Sequence, residues 1–317
     1  MFKILSDTNY PIIGIRRIMM TISAIVILIG IGSIAIHGGL NYGIDFRGGY
    51  KFIVQFTDVV DLSMVRGAIS DGGMEGAQVS DFGTHREVLI ILDAEGGELA
   101  EEQDEGGDAI QNHLSETIRL AFPDNPVVEI SQEKVGPKIG AELRTQALWA
   151  ILYSLLGIVL YITWRFEFKF SIAAIVALIH DVVITLGIFS LLGKEINLTI
   201  LGALLTIVGY SLNDTIVVFD RIRENLRARS RAEAYPNVVN ASVNQTLSRT
   251  AITSLTTLIV VGFLFFFGGA VIHDFAFALL VGVLVGTYSS LFIASPILVE
   301  WQAALQVRRQ RRLATNR

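Results

Sequence analysis

The amino-acid sequence predicts an α-helical polytopic membrane protein with six transmembrane helices and one α+β domain between the first and second helix. Hydrophobic residues make up 52% of the 317-residue chain, and its apolar runs reach the roughly 20 residues that cross a bilayer. A polar stretch at 39–145 interrupts these runs after the first. The inserted stretch is much more acidic than the rest of the chain. Residues 38–146 hold 20 acidic against 8 basic side chains, whereas the whole chain has a net charge of only −5.

Hydropathy divides the chain into consecutive segments. The predicted order is a tail at 1–17, a first span at 18–38, the inserted domain at 39–145, a five-span bundle at 146–307 with a basic link at 220–249, and a basic tail at 308–317. Within the bundle the spans are predicted at 146–163, 171–192, 198–219, 250–267 and 275–299. The first span is too long for the apolar region of a signal peptide, so we expect it to remain as a membrane helix.

Periodicity within the insert predicts the order β-α-β-β-α-β. Alternating or β-rich runs predict strands at 50–56, 76–82, 86–92 and 126–133, and helical spacing predicts helices at 61–70 and 108–122. This order is that of the ferredoxin-like split unit. The acidic, glycine-rich segment at 95–107 is expected to be a surface loop whose role the sequence does not indicate.

The distribution of arginine predicts how the chain is oriented. Six spans place both termini and the 220–249 link on one side of the membrane and the acidic insert on the other. The link and the C-terminal tail are rich in arginine. The positive-inside rule therefore assigns both termini to the cytoplasm and residues 39–145 to the periplasm.

Asp214 is the residue for which the sequence makes the strongest functional argument. It lies in an otherwise apolar span, where a charged side chain costs at least about 2.5–3.5 kcal/mol. Tyr210, Ser211 and Asn213 lie within one helical turn of it, so this span has a polar face around the acid. A proton or ion path requires such a face; the alternative is a polar patch that holds neighbouring helices together.

Three further polar residues are weighed as partners of this acid. Arg249 is predicted to enter the membrane from the side nearer Asp214, and its long side chain either meets the carboxylate or marks the membrane edge. His180 and Asp181 lie near the middle of the third span, where they either extend a relay or join helices.

Two further stretches indicate contact between helices. Ser248 to Thr257 form a hydroxyl-rich stretch in the fifth span, and Gly282 with Gly286 form a small-residue face for helix packing.

Several classes of protein are disfavoured. The chain contains no cysteine, which excludes disulfides and thiolate chemistry, and it has no P-loop pattern for ATP hydrolysis. An intramembrane aspartyl protease would require Asp181 and Asp214 to share a proton, yet their predicted depths differ by roughly 7 Å. We therefore expect no enzymatic activity, no metal and no cofactor other than protons as a coupling ion.

The motifs in this sequence resemble the SecF branch of the SecD/SecF family of bacterial protein-export membrane proteins, which belongs to the RND superfamily. The first motif is GIDFRGG at 43–49, with Gly43, Asp45, Arg47, Gly48 and Gly49. The others are VGPKIG at 135–140, the His180-Asp181 pair, VGYSLNDTIVVFDRIREN at 208–225 and LSRT at 247–250. The resemblance covers nearly the whole chain, and it identifies the chain as one RND-type half.

The resemblance implies a function in protein translocation. Such a subunit pairs with SecD beside the SecYEG channel, with YajC as a further partner, in the bacterial inner membrane. Surrounded by lipid, the pair uses the proton gradient to move unfolded exported polypeptide in a late, ATP-independent step; no nucleic acid is involved. By motif, Asp214 would carry the proton, Arg249 would be its basic partner, and the inserted domain would move as protons pass.

Two other classes stay open at this point. A small-molecule or lipid exporter of the same superfamily would need a path between two inserted domains, and this chain has one. A passive assembly subunit would use Asp214 only to hold helices together.

Overall fold

The computed structural model describes residues 8–74, 76–82, 85–93, 106–230 and 233–315; most of the predicted acidic loop at 95–107 lies outside these residues. The helices are α1 Arg16–Ile36, α2 Ile44–Arg47, α3 Leu62–Asp71, α4 Gly106–Ala121, α5 Pro137–Arg165, α6 Phe168–Leu191, α7 Leu198–Ala228, α8 Tyr235–Phe267, α9 Gly269–Ser289 and α10 Ser295–Thr315. The strands are β1 Gly49–Phe56, β2 Gln78–Asp81, β3 Glu87–Asp93 and β4 Val127–Val135.

Six helical segments within the described residues are long and apolar enough to cross a membrane. They are Arg16–Ile36, Pro137–Arg165, Phe168–Leu191, Leu198–Ala228, Tyr235–Phe267 and Ile272–Arg312. The last segment joins α9 to α10 through a π-helical turn, Ser290–Ala294. The predicted polytopic class is therefore confirmed, since helices satisfy their own backbone hydrogen bonds in lipid.

The inserted domain is a four-stranded antiparallel sheet with the order β2-β3-β1-β4. Alternate residues of β1, among them Phe52 and Val54, are fully buried and pack against Val65 of α3 and Leu114 of α4. The two helices therefore cover one face of the sheet, and the strand order is that of the predicted ferredoxin-like fold.

The membrane bundle is built around α6 and α7, which contribute 13 and 12 buried residues, respectively. By contrast, α1, α5 and α8 expose large apolar side chains such as Leu28, Leu160 and Phe263, as expected of helices that face lipid. Helices α1 and α6 approach each other closely: a Cβ on Gly30 would lie 2.9 Å from the Cα of Gly187. The two glycines allow these helices to touch.

Most of the predicted basic link at 220–249 is helical. Helix α7 continues to Ala228 and α8 begins at Tyr235. The predicted tail at 308–317 is likewise helical as far as Thr315. Hydropathy locates the point where a helix leaves the membrane, whereas charged side chains such as arginine can continue the same helix into water.

The amino-terminal segment is attached to α8 by two asparagines. The Asn244 amide accepts from the Tyr10 N–H at 2.8 Å, and its Nδ2 donates to the Tyr10 carbonyl at 2.9 Å. One turn earlier, Asn240 accepts from the Ile13 N–H at 3.0 Å. Ile13 is itself buried, so the segment is part of the packed structure.

Candidate functional site: two buried carboxylates

Asp181 of α6 is fully buried and strongly hydrogen-bonded. Its Oδ2 accepts from the Ser211 hydroxyl of α7 at 2.5 Å and from the Ser289 hydroxyl of α9 at 2.8 Å. Its Oδ1 accepts from Nδ1 of the adjacent His180 at 2.8 Å. Three donors from three helices therefore satisfy this carboxylate, which is the usual condition for burying a charge.

Asp214 of α7 is equally hidden but held much more weakly. Only 3% of the residue is exposed, and its carboxylate accepts a long hydrogen bond, from the Ser254 hydroxyl of α8 at 3.4 Å. Ser254 is shared, because it also hydrogen-bonds Thr287 of α9 at 2.6 Å. The hydroxyl of Thr250, one turn before Ser254, is buried and has no partner among the described residues. This site therefore contains more hydrogen-bonding capacity than it uses.

The two carboxylates are linked through neighbouring residues of α7 and α9. Ser211 and Asp214 are three residues apart, on one face of α7. Thr287 and Ser289 lie near the end of α9, and the following Ser290 hydrogen-bonds Thr215 at 2.9 Å. The result is a polar layer across α6, α7, α8 and α9 inside an otherwise apolar bundle.

The π-helical turn lies directly beside this layer. Its first residue, Ser290, supplies a carbonyl that accepts from the Ser295 hydroxyl five residues later at 3.0 Å. Single π-helical turns in long helices are frequent at functional sites, because the extra residue changes which side chains face a neighbouring helix.

Gly282 and Gly286 lie on α9 against α7. A Cβ on Gly282 would clash with Ile207, and one on Gly286 would lie 2.9 Å from the Cβ of Ser211. The second glycine therefore allows Ser211 to approach α9 while donating to Asp181. The structure places both predicted packing residues at this contact.

Arg249 does not form an ion pair with Asp214: within the described parts of the chain, no such contact is shorter than 4.0 Å. Arg249 instead lines an open cleft of about 800 Å³ between α7 and α8. The other residues lining this cleft include Asp220, Arg221, Arg223, Glu224 and Arg227. The cleft brings polar, solvent-accessible surface to the side of the bundle that carries Asp214.

The other predicted relay residues are distributed around the layer. His180 is buried with its Nε2 unpartnered among the described residues, and its ring stacks on Tyr288 at 6.1 Å. The Tyr210 hydroxyl is also buried without a partner there. Asn213 is exposed on the outer surface of α7, so it does not join the cluster.

The GIDFRGG motif lies far from the carboxylates, at the end of the bundle that carries the sheet domain. Asp45 accepts from the N–H of Leu198, the first residue of α7, at 2.8 Å. Gly48 has a positive φ of 82°, and a Cβ there would lie 2.8 Å from Pro137 of α5. This close approach explains why glycine is required at position 48.

Sequence reasoning missed the roles of Thr287 and Ser289. Both hydroxyls are visible in the sequence, but nothing in the sequence pattern shows that they face the acids. A period-3.6 pattern shows which residues share a helix face, whereas their partners lie on other helices. Among the described residues, no group of three or more His, Asp or Glu side chains is arranged to hold a metal ion.

The fold and this site define a multi-pass membrane protein that keeps two carboxylates inside its helix bundle. The model of the SecD/SecF C-terminal region of protein export membrane proteins matches residues 117–304, and the model of the SecD/SecF GG motif matches 34–58. The chain belongs to the SecD/SecF family of protein export membrane proteins, in its SecF branch.

Curated relatives match over almost their whole length. The protein translocase subunit SecF of Desulfurispirillum indicum is 46% identical over 92% of this chain and 91% of its own. That of Thermodesulfovibrio yellowstonii is 45% identical over 94% of this chain and 97% of its own.

Two solved structures have a similar fold. The crystal structure of SecDF, a translocon-associated membrane protein from Thermus thermophilus, matches with a TM-score of 0.81 at 37% identity over 96% of this chain. SecDF in a super-membrane-facing form matches with a TM-score of 0.68 at 36% identity. This chain spans 40% and 41% of those two chains, respectively.

Proposed function

We propose that this chain is the SecF subunit of a SecD–SecF complex that uses the proton motive force to assist late, ATP-independent protein export. Its partner would be a separate SecD chain, with SecYEG and YajC nearby, in the bacterial inner membrane. Both termini would face the cytoplasm and residues 39–145 the periplasm. The client would be unfolded exported polypeptide.

One observation carries the proposal: Asp214 is 3% exposed, yet among the described residues its carboxylate accepts one hydrogen bond, a long one of 3.4 Å. A buried carboxylate that is only weakly held can gain a proton without breaking a network. Asp181, with three short bonds, would lose more by doing so. Asp214 is therefore the better proton carrier of the two.

The surroundings of Asp214 support a proton path. Thr250, Ser254 and Thr287 present hydroxyls that can both donate and accept, and the Thr250 hydroxyl is free to take a new partner. Arg249 and its cleft would bring water close to the acid from the cytoplasmic side. Arg249 would then approach Asp214 when that side chain is a charged carboxylate, and it would move away when Asp214 is protonated and neutral.

The outer surface of α7 supports a partner helix. Gly202, Thr206, Gly209 and Asn213 recur at helical spacing, and all four are exposed in this chain. Small and polar residues allow helices in a membrane to approach closely. A SecD helix on this surface would cover Asn213 at the depth of Asp214.

The available energy suffices for a conformational change. One proton crossing 100 mV supplies about 2.3 kcal/mol. Such an energy shifts a two-state equilibrium by tens of fold when the proton binds one state better than the other.

The test compares Asp214→Asn with Asp214→Glu and with a control, Glu300→Gln. Each variant would be reconstituted with SecD in proteoliposomes, and both proton flux and gradient-driven export of a precursor protein would be measured. Asp214→Asn should assemble but lose both activities, while Asp214→Glu should keep part of them. Glu300 lies on α10, outside both the polar layer and the cleft, and pairs with Arg16 at 2.8 Å, so Glu300→Gln should behave like the wild type.

Two results would contradict the proposal. Normal gradient-driven export by Asp214→Asn would indicate that this chain is a passive assembly subunit. Loss of small-molecule efflux with intact protein export would indicate an exporter of the same superfamily.

A further inference from the structure

The two chain connections between the sheet domain and the bundle leave the sheet side by side. The first residue of β1, Gly49, pairs with the last residue of β4, Val135. Directly outside them, a Cβ on Gly48 would lie 2.8 Å from Pro137, and one on Gly140 would lie 3.0 Å from the Gly48 nitrogen. Backbone therefore packs on backbone. The two connections, at 48–49 and 135–140, form one packed unit, called the stem below, rather than two separate flexible linkers.

This stem is joined to the start of α7. The Ile196 N–H donates to the Asn41 carbonyl at 2.7 Å, and the Gly43 N–H donates to the Ile196 carbonyl at 2.9 Å. Asp45 then accepts from the Leu198 N–H at 2.8 Å. A carboxylate at this position satisfies a free N–H of the first helical turn and interacts favourably with the helix dipole.

The loop before α7 is also attached to α9. Lys194 pairs with Asp274 at 2.5 Å, and Asp274 lies near the start of the helix whose other end carries Thr287 and Ser289. Helices α7 and α9 both contribute to the polar layer, and the loop before α7 thus connects them again near Asp45.

An unbroken helix connects the stem to the acid. Leu198 and Asp214 belong to the same 31-residue helix, and the sixteen residues between them span about 24 Å at 1.5 Å per residue. A packed helix moves as a rigid element, so a shift of α7 at Asp214 would displace Leu198 and whatever is bonded to it.

We infer that Asp45 is a positioning residue that couples α7 to the sheet domain, so that the domain moves with α7 as one body. The inference rests on the proposed proton-driven function and assigns a mechanical role to a motif outside the proton path. Asp45 itself touches neither proton nor client; it acts through the Leu198 N–H.

The chain offers a direct test because it contains no cysteine. A Cβ on Gly43 would lie 3.4 Å from the Cβ of Asn197, close to the 3.5–4.5 Å separation typical of disulfides. The pair Gly43→Cys and Asn197→Cys therefore provides a reversible covalent substitute for the Asp45 bond. It would be introduced into the full chain, with and without Asp45→Ala, in complex with SecD.

Uncoupling is the expected effect of Asp45→Ala. Gradient-driven export should fall about tenfold, within the usual range of coupling between sites, while proton uptake at Asp214 persists. Oxidising the engineered cysteine pair should restore export to Asp45→Ala, and a reductant should remove it again. Asp45→Asn keeps an oxygen acceptor for the Leu198 N–H, so it should export better than Asp45→Ala.

Four results would overturn the inference. They are normal export by Asp45→Ala, loss of export when the pair is oxidised in the Asp45 background, no restoration by oxidation in Asp45→Ala, and equal defects in Asp45→Asn and Asp45→Ala. Failure of the proposed function would be seen separately. Gradient-driven export would then survive Asp214→Asn, whether or not Asp45 or the cysteine pair holds the start of α7.

Discussion

Asp181 and Asp214 are two carboxylates on neighbouring helices, both buried, and they differ in how they are held. Asp181 accepts three hydrogen bonds of 2.5–2.8 Å, whereas Asp214 accepts one of 3.4 Å beside a hydroxyl without a partner. A buried charge that is fully bonded stabilises one arrangement of helices, while a weakly bonded one can change its protonation state at lower cost. Burial alone therefore does not distinguish a structural acid from a proton carrier.

The largest expected effect separates the two acids by function. Asp214→Asn should remove gradient-driven export while leaving the unfolding midpoint near that of the wild type, because few hydrogen bonds are lost. Measurements of export and of thermal unfolding on the same preparation check this. A large fall in the midpoint would instead place Asp214 in the same structural class as Asp181.

Asp181→Ala should have the opposite profile. Removing this carboxylate leaves Ser211, Ser289 and His180 without their acceptor in a buried site, and breaking such a cluster costs about 3–5 kcal/mol. The unfolding free energy in detergent should fall accordingly. A stable Asp181→Ala variant that no longer takes up protons would show that Asp181 belongs to the relay.

A matched pair of hydroxyl deletions refines the comparison. Ser289→Ala removes a 2.8 Å bond to a charged group, worth about 1.5–3 kcal/mol. Ser254→Ala removes the 3.4 Å bond to Asp214 and a 2.6 Å bond between two neutral hydroxyls, to Thr287, and should cost about 1 kcal/mol. Each variant removes one buried hydroxyl, and each of these hydroxyls has a second partner, Gly286 for Ser289 and Thr287 for Ser254. Equal losses of unfolding free energy would remove the distinction between tight and weak sites.

The smallest effect is expected at a third, water-exposed carboxylate. Asp61 caps α3 and accepts from the Ser63 side chain and then its N–H, which lowers the pKa of Asp61 below its usual 3.8. Since the folded-state pKa is the lower one, this cap stabilises the domain above about pH 4 and is lost as pH falls through the folded-state value.

Asp61→Ala should therefore lower the unfolding midpoint slightly at neutral pH and not at pH 2 to 3, while Asp61→Asn keeps an acceptor. Thermal scans at both pH values measure this. A decrease that is independent of pH would assign the effect to helix propensity rather than to the carboxylate.

Much of the fold follows from local patterns. Alternation in β1 buries Phe52 and Val54, and six apolar runs give six membrane helices. An alternating apolar pattern indicates a half-buried strand, and an apolar run of about 20 residues indicates a membrane helix. The ends of the helices were harder to predict. Arg221 and Arg227 belong to α7 although hydropathy placed them in a link, since a helix need not end where the membrane does.

The candidate site was only partly predictable. Asp214 stands out from the sequence because an acid is expensive in a membrane span. The difference between it and Asp181 does not, since it depends on hydroxyls from α8 and α9 that lie 40 and more than 100 residues away along the chain.

The sequence by itself determined the class of this protein, the number of its spans, the ferredoxin-like order of its insert and the presence of costly acids inside the bundle. Each of these depends on hydrophobic periodicity or on the cost of burying charge, both of which are local properties. Only the tertiary structure decided which hydroxyls bond which acid, that Asp45 holds the start of α7, and that Asn240 and Asn244 bind the amino-terminal segment. Those contacts join residues distant in the chain, and they form only when helices pack closely enough for hydrogen bonds of about 3 Å.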